Sequence, residues 1–180
     1  ARNVSGFESE SGFREAIEKI FGEAPSETKQ SPLLTGRIES PLGPMIAVAD
    51  DEGLRLLEFI DRRATESELS ILRQRLRTNV VPGGHRHLEM VRSQLADYFS
   101  GKNLEFNLPL APVGSAFQRR AWKLLRAIPV GETRSYSWMA QQLGDAEMRR
   151  AVGRVNGQNM ICIVIPCHRV IRADGTLCGY

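Results

Sequence analysis

Long apolar runs are missing from this chain, and so are the marks of a secreted protein. No stretch of about 18 consecutive apolar residues occurs, so no segment reads as a membrane span. The opening Ala1-Arg2-Asn3-Val4 has no secretory pattern. Cysteine is scarce: three residues, an odd number gathered near the C-terminus, argue against a disulfide framework and for reduced thiols in a cytoplasmic setting. His85 and His87 have no cysteine or carboxylate cluster beside them, so they read as capping or solvated residues and no metal is expected. What is present, 42% hydrophobic and 25% charged residues across 180 positions, suffices for one or two domains with true cores.

The overall charge of +3 is unevenly spread. Residues 113–180 hold ten Arg and Lys against four acids, a net +6, which leaves −3 for the first 112. A polyanion-binding surface would use that asymmetry for steering and counterion release.

Short strands dominate the region after residue 30. Thr35–Ser40, Met45–Ala49 and Leu54–Ile60, separated by turns at Pro41–Pro44 and Asp50–Gly53, predict an antiparallel meander. Thr65–Arg77 and Gly84–Phe99 carry apolar stripes at helical spacing and would pack on one face of that sheet. An extended piece, Leu104–Leu110, leads through Pro112 and Gly114 to a helical region, and the domain boundary is placed near Leu110–Gly114. There Ser115–Pro129 gives a core helix, and two further helices meet at Gly144, the second beginning at Asp145. Arg149, Arg150 and Arg154 lie on that second helix, with small Ala151 and Gly153 allowing close approach to a phosphate backbone.

The chemistry concentrates at the end of one apolar run. Ile161–Ile165 leads into Pro166, which fixes φ, so Cys167 emerges where the backbone turns. His168 and Arg169 follow, an imidazole and a cation able to promote a thiolate. A Cys-His pair alone more often marks a small core thiol beside a surface histidine. The longer string Ile165-Pro166-Cys167-His168-Arg169-Val170 resembles the active-site signature of the O6-alkylguanine-DNA alkyltransferases. Gly131-Glu132-Thr133-Arg134-Ser135-Tyr136 resembles the same family's Gly-Glu-x-x-x-Tyr turn, and Gly179-Tyr180 its pocket tyrosine.

That resemblance implies a fold and a mechanism. The fold is α+β: a small antiparallel sheet with helices, ribonuclease H-like, over residues 31–112, then an all-α helix-turn-helix domain, winged-helix-like, over 113–180. It implies that Cys167 takes the alkyl group once and irreversibly, that His168 draws the thiol proton through a water, and that Asn159 braces the turn. Tyr180 would hydrogen-bond the guanine, while the carbonyls of Cys167 and Val170 receive its exocyclic amine. The base must leave the stack to be reached; Arg150 would fill the gap and Tyr136 would press on the 3′ phosphate. The implied partner is double-stranded DNA containing O6-alkylguanine, bound by a monomer with no cofactor. In the family a glutamate beyond the Gly-Tyr orients the histidine, so a chain ending at Tyr180 is expected to fold but react slowly.

Residues 4–29 resemble something else. Gly6-Phe7-Glu8-Ser9-Glu10-Ser11-Gly12-Phe13 and Phe21-Gly22-Glu23-Ala24-Pro25-Ser26 are similar to the last helix-turn-helix element of AraC-type regulators. Residues 1–30 are therefore expected to be the remnant of such a module plus a linker, as in an Ada-type fusion of regulator and repair protein. Two other readings stand beside repair: a DNA-binding regulatory or damage-sensing module, and, less favoured, a cysteine hydrolase.

Overall fold

The computed structural model describes residues 9–21, 31–62 and 64–176, which fall into two compact units, Ala1–Pro112 and Val113–Tyr180. In the first, α1 (Glu10–Phe21) precedes β1 (Leu33–Ile38), β2 (Met45–Asp50) and β3 (Gly53–Phe59). Then come α2 (Thr65–Leu76), β4 (Val80–Pro82) and α3 (Arg86–Phe99). The Oγ of Ser9 accepts the Gly12 amide at 3.1 Å and starts α1, whose Phe13 is buried. Gly22–Ser26 of the AraC-like pattern lie outside the described residues.

β1, β2 and β3 pair antiparallel through two short turns. β2 is buried along Met45–Ala49, as a strand covered on both faces should be. The sheet is not purely antiparallel, however. β4 joins the free edge of β1 in parallel, giving the order β3-β2-β1-β4 and a small mixed sheet. Three residues ending in proline show no alternation to read, and proline is tolerated there because an edge strand can spare the missing N–H.

The turn into β3 depends on glycine. Gly53 has φ +148°, and a Cβ on it would stand 2.6 Å from the Pro109 carbonyl oxygen. That approach lets Leu54 donate to Pro109 O and accept from the Ala111 amide, both at 2.9 Å, bringing the extended piece before Pro112 beside β3. His85 caps α3 by accepting the His87 amide on Nδ1. His87 is not solvated: it is 3% exposed, with Nδ1 2.8 Å from the Asp50 carbonyl. Among the described residues no cluster of three or more His, Cys, Asp or Glu could hold a metal, and no helix is long and apolar enough to cross a membrane.

The second unit is mainly helical: α4 (Ala116–Arg126), α5 (Tyr136–Gln142) and α6 (Arg149–Gly157). It is not all-α, because Arg134–Ser135 (β5) and Val170–Ile171 (β6) pair in parallel and tie the start of α5 to the segment after Cys167. Two-residue strands carry no periodicity by which they could be foreseen. Ser115 and Gln118 form a capping box at the head of α4. Trp122 lies inside, its Nε1 donating to the Val155 carbonyl of α6 at 3.1 Å. Gly114 makes room for that indole, since a Cβ there would fall 2.6 Å from the ring.

Candidate active site

The helix pair is built from local signals. Ser135 Oγ accepts the Trp138 amide at 3.1 Å and starts α5. Gly144, at φ +103°, turns the chain after α5. Asp145 caps a single 3-10 turn, Ala146–Met148, before α6 proper begins at Arg149. The second helix therefore starts as a tighter turn at the place expected and becomes α-helical four residues later.

α6 presents distinct faces. Arg150, Ala151, Arg154 and Gln158 line an open groove of about 450 Å³ together with Ser115 and Gln118 at the head of α4. Gln118 Nε2 donates to Gln158 Oε1 at 2.9 Å across it. Arg149, Arg150 and Arg154 are exposed, and Arg149 sits 3.8 Å from Glu147. Val152 and Val155 face the interior. Gly153 and Asn156 point toward Tyr136: a Cβ on Gly153 would lie 3.8 Å from its ring, and Asn156 Nδ2 is 3.4 Å from its hydroxyl.

Beyond α6 the chain coils into the turn that holds Cys167. Ile161–Ile165 are all buried, but they form successive turns, with Val164 N donating to Cys162 O at 2.7 Å and Ile165 N to Ile161 O at 3.0 Å. Ile163 has φ +67°, a left-handed conformation that a β-branched residue rarely adopts. Such strain costs on the order of 1–3 kcal/mol and persists only where surrounding contacts over-determine the backbone.

Asn159, 3% exposed, supplies those contacts. Its Oδ1 accepts the Ile161 amide at 3.1 Å, which fixes the orientation of the carboxamide. Nδ2 then faces the Ile165 carbonyl at 2.8 Å and Cys167 Sγ at 3.3 Å. A donor thus stands against the sulfur, where thiolate charge would reside. Cys167 is 5% exposed and opens a 3-10 turn closed by the Val170 amide on its carbonyl. Arg169 anchors that turn, donating from Nη1 to the Ile128 carbonyl at 2.6 Å.

His168 projects outward. Partial desolvation, then the neighbouring Arg169 charge, hold its pKa below the ordinary 6.5, so the imidazole is neutral at physiological pH. Of the residues singled out in the sequence, Cys167, His168, Asn159, Val170 and Tyr136 surround one turn, while Arg149, Arg150, Ala151 and Arg154 lie on outer faces of the helix leading to it. Tyr180 falls outside the described residues. Asn156 was not foreseen: its Nδ2 also donates to the Cys167 carbonyl at 3.2 Å. The spacing Gly153-Asn156-Asn159, three residues apart on and just past a helix, was the available signal for a shared face.

Known proteins share both units. Residues 33–112 match the family model described as 6-O-methylguanine DNA methyltransferase, ribonuclease-like domain, and residues 116–180 match its DNA binding domain. A methylated-DNA–protein-cysteine methyltransferase of Methanosarcina barkeri is 42% identical over 143 residues, 79% of this chain and 85% of its own length. One from Salmonella typhimurium is 41% identical over 157 residues, 82% of this chain and 87% of the relative. The crystal structure of Mycobacterium tuberculosis OGT in complex with DNA superposes with TM-score 0.70 at 38% identity, covering 82% of this chain and 83% of that one. With family matches spanning both units and relatives this similar over most of its length, the chain belongs to the 6-O-methylguanine DNA methyltransferase family.

Proposed function

We propose that this protein repairs DNA by moving the alkyl group of O6-alkylguanine onto Cys167, once per molecule and irreversibly. Its reaction is that of a methylated-DNA–protein-cysteine methyltransferase. The observation that carries the proposal is the placement of Cys167 Sγ, 3.3 Å from a buried amide donor, in a turn reached directly from the arginine-bearing helix α6.

The step is a displacement at carbon. Cys167 yields its proton through a water to neutral His168, and the thiolate attacks the alkyl carbon. As the S–C bond forms, the C–O6 bond breaks and its electron pair leaves with the base, which takes up a proton to become guanine. Tyr180 assists that departure, and the carbonyl of Val170 receives the exocyclic amine, that of Cys167 being already taken by the Val170 amide and Asn156 Nδ2. No cofactor enters, because the thiolate supplies the electron pair. A thioether is not hydrolysed under mild conditions, so the protein is consumed.

An alkyl group on O6 points into the stacked duplex, and the base must swing out to meet the sulfur. Arg150 fills the vacated place and Tyr136 bears on the 3′ phosphate, with Arg149, Ala151 and Arg154 along the backbone. The exposed arginines of α6 and the +6 charge of residues 113–180 support this arrangement. We read residues 31–112 as ribonuclease H-like, residues 113–180 as a winged-helix-like DNA-binding domain, and the protein as a cytoplasmic monomer.

Incubation with a duplex containing O6-methylguanine tests the proposal. A mass gain of one methyl group mapping to Cys167, absent in Cys167→Ala, is expected; binding without any gain would overturn it. That second outcome would favour the regulatory reading, which the AraC-like pattern of residues 4–29 and the Ser9-capped α1 support. In both readings residues 1–30 are the tail of an AraC-type module plus a linker, as in an Ada-type fusion of regulator and repair protein.

A further inference from the structure

Asn156 is only half satisfied by the described residues around it. Its Nδ2 reaches the Cys167 carbonyl at 3.2 Å and the Tyr136 hydroxyl at 3.4 Å, whereas its Oδ1 is buried without a hydrogen-bond partner among the described residues. The carboxamide cannot be reversed, because that would set oxygen against the carbonyl oxygen of Cys167. A leucine of similar size would leave no acceptor stranded, so folding stability does not explain an asparagine here.

What the amide does is mechanical. The Cys167 carbonyl accepts both the Val170 amide and Asn156 Nδ2, so the peptide unit next to the nucleophile is pinned from its own turn and from α6. The same nitrogen touches the tyrosine at the head of α5. We infer that Asn156 is a positioning residue: it locks the carbonyl of Cys167 to the hydroxyl of Tyr136, so that the grip on the nucleic acid and the aim of the sulfur are set together. This rests on the repair reading for its substrate but not for its geometry.

The test compares the wild-type chain with Asn156→Leu, Tyr136→Phe and the double variant. Methyl transfer from an O6-methylguanine duplex is followed by intact mass, and thermal denaturation is run in parallel. Asn156→Leu should melt no lower than wild type yet transfer roughly ten- to a hundredfold more slowly, as expected for a displaced reacting group. In the double variant the rate should stay within about twofold of Asn156→Leu alone, because the tyrosine has already lost its link. Iodoacetamide provides a readout that needs no nucleic acid. It should modify Cys167 faster in Asn156→Leu, since a loosened turn uncovers the sulfur. Unchanged transfer and unchanged iodoacetamide uptake, or rate losses that multiply in the double variant, would overturn the inference. If the wild type takes iodoacetamide but no methyl group, the repair reading fails, and the iodoacetamide comparison still decides whether Asn156 pins the turn.

Discussion

His168 and Arg169 are neighbours with different surroundings: one is exposed and, in the proposed reaction, takes the thiol proton, while the other ties the turn to the end of α4. The guanidinium also acts electrostatically, helping desolvation to lower the imidazole pKa. For a base that works only when neutral, the sign is direct. Activity is retained as pH falls to the ordinary imidazole value of 6.5 and is lost only as it passes the lowered one. In Arg169→Gln the acid limb of the rate profile should move up toward that ordinary value, checked by single-turnover transfer rates across pH. The string around Cys167 was legible in the sequence because proline, cysteine and histidine are consecutive there. Asn156 and the left-handed Ile163 were not. Both act through backbone groups close in space: the spacing Gly153-Asn156-Asn159 was the one signal for the first, and nothing in the apolar run marked the second.

Among the elements, β3 and α2 meet at a buried cluster that no motif marked. Glu58 of β3 and Glu68 of α2 share Arg62, with Nη1 on Glu58 Oε2 and 3.4 Å from Glu68 Oε1. Burial first, offset by Arg62 and reinforced by Glu58, raises the Glu68 pKa from 4.5 to about 7. A carboxyl whose folded pKa exceeds its unfolded value favours the folded state while protonated. That contribution is complete below 4.5 and disappears as pH rises through 7. Well above pH 7 the loss reaches the order of 3 kcal/mol. Glu68→Gln should abolish the decline, so urea midpoints measured at pH 5.5 and pH 8 should converge relative to wild type. The strands β1–β3 were readable because short apolar runs are bounded by turn residues, whereas β4, β5 and β6 are too short to show a pattern and exist only through their partners. On α6, replacing both Arg149 and Arg154 by Ala should weaken duplex binding at all sequences. It should also flatten the dependence of log affinity on log salt by about two, one for each phosphate contact removed, as measured by titration at several ionic strengths.

At the scale of the whole molecule, the chain divides into a unit with a net −3 and one with a net +6, each with its own core. The division was legible in charge and in the Pro112–Gly114 break, because both are properties of composition. The glycine requirement at Gly114 was not, since it depends on where the Trp122 ring lands. Gly114→Ala should destabilise residues 113–180 while leaving the first unit's transition in place. The two tryptophans make that separable in one cuvette. Both, Trp122 and Trp138, belong to the second unit, so indole emission reports its unfolding alone. The loss of far-ultraviolet dichroism reports both units. A chemical melt read in the two channels should give coincident curves if the units unfold as one and a lagging or leading fluorescence curve if they do not. Because the Trp122 N–H is held by the last turns of α6, the same emission also offers an optical handle on any event that disturbs that helix.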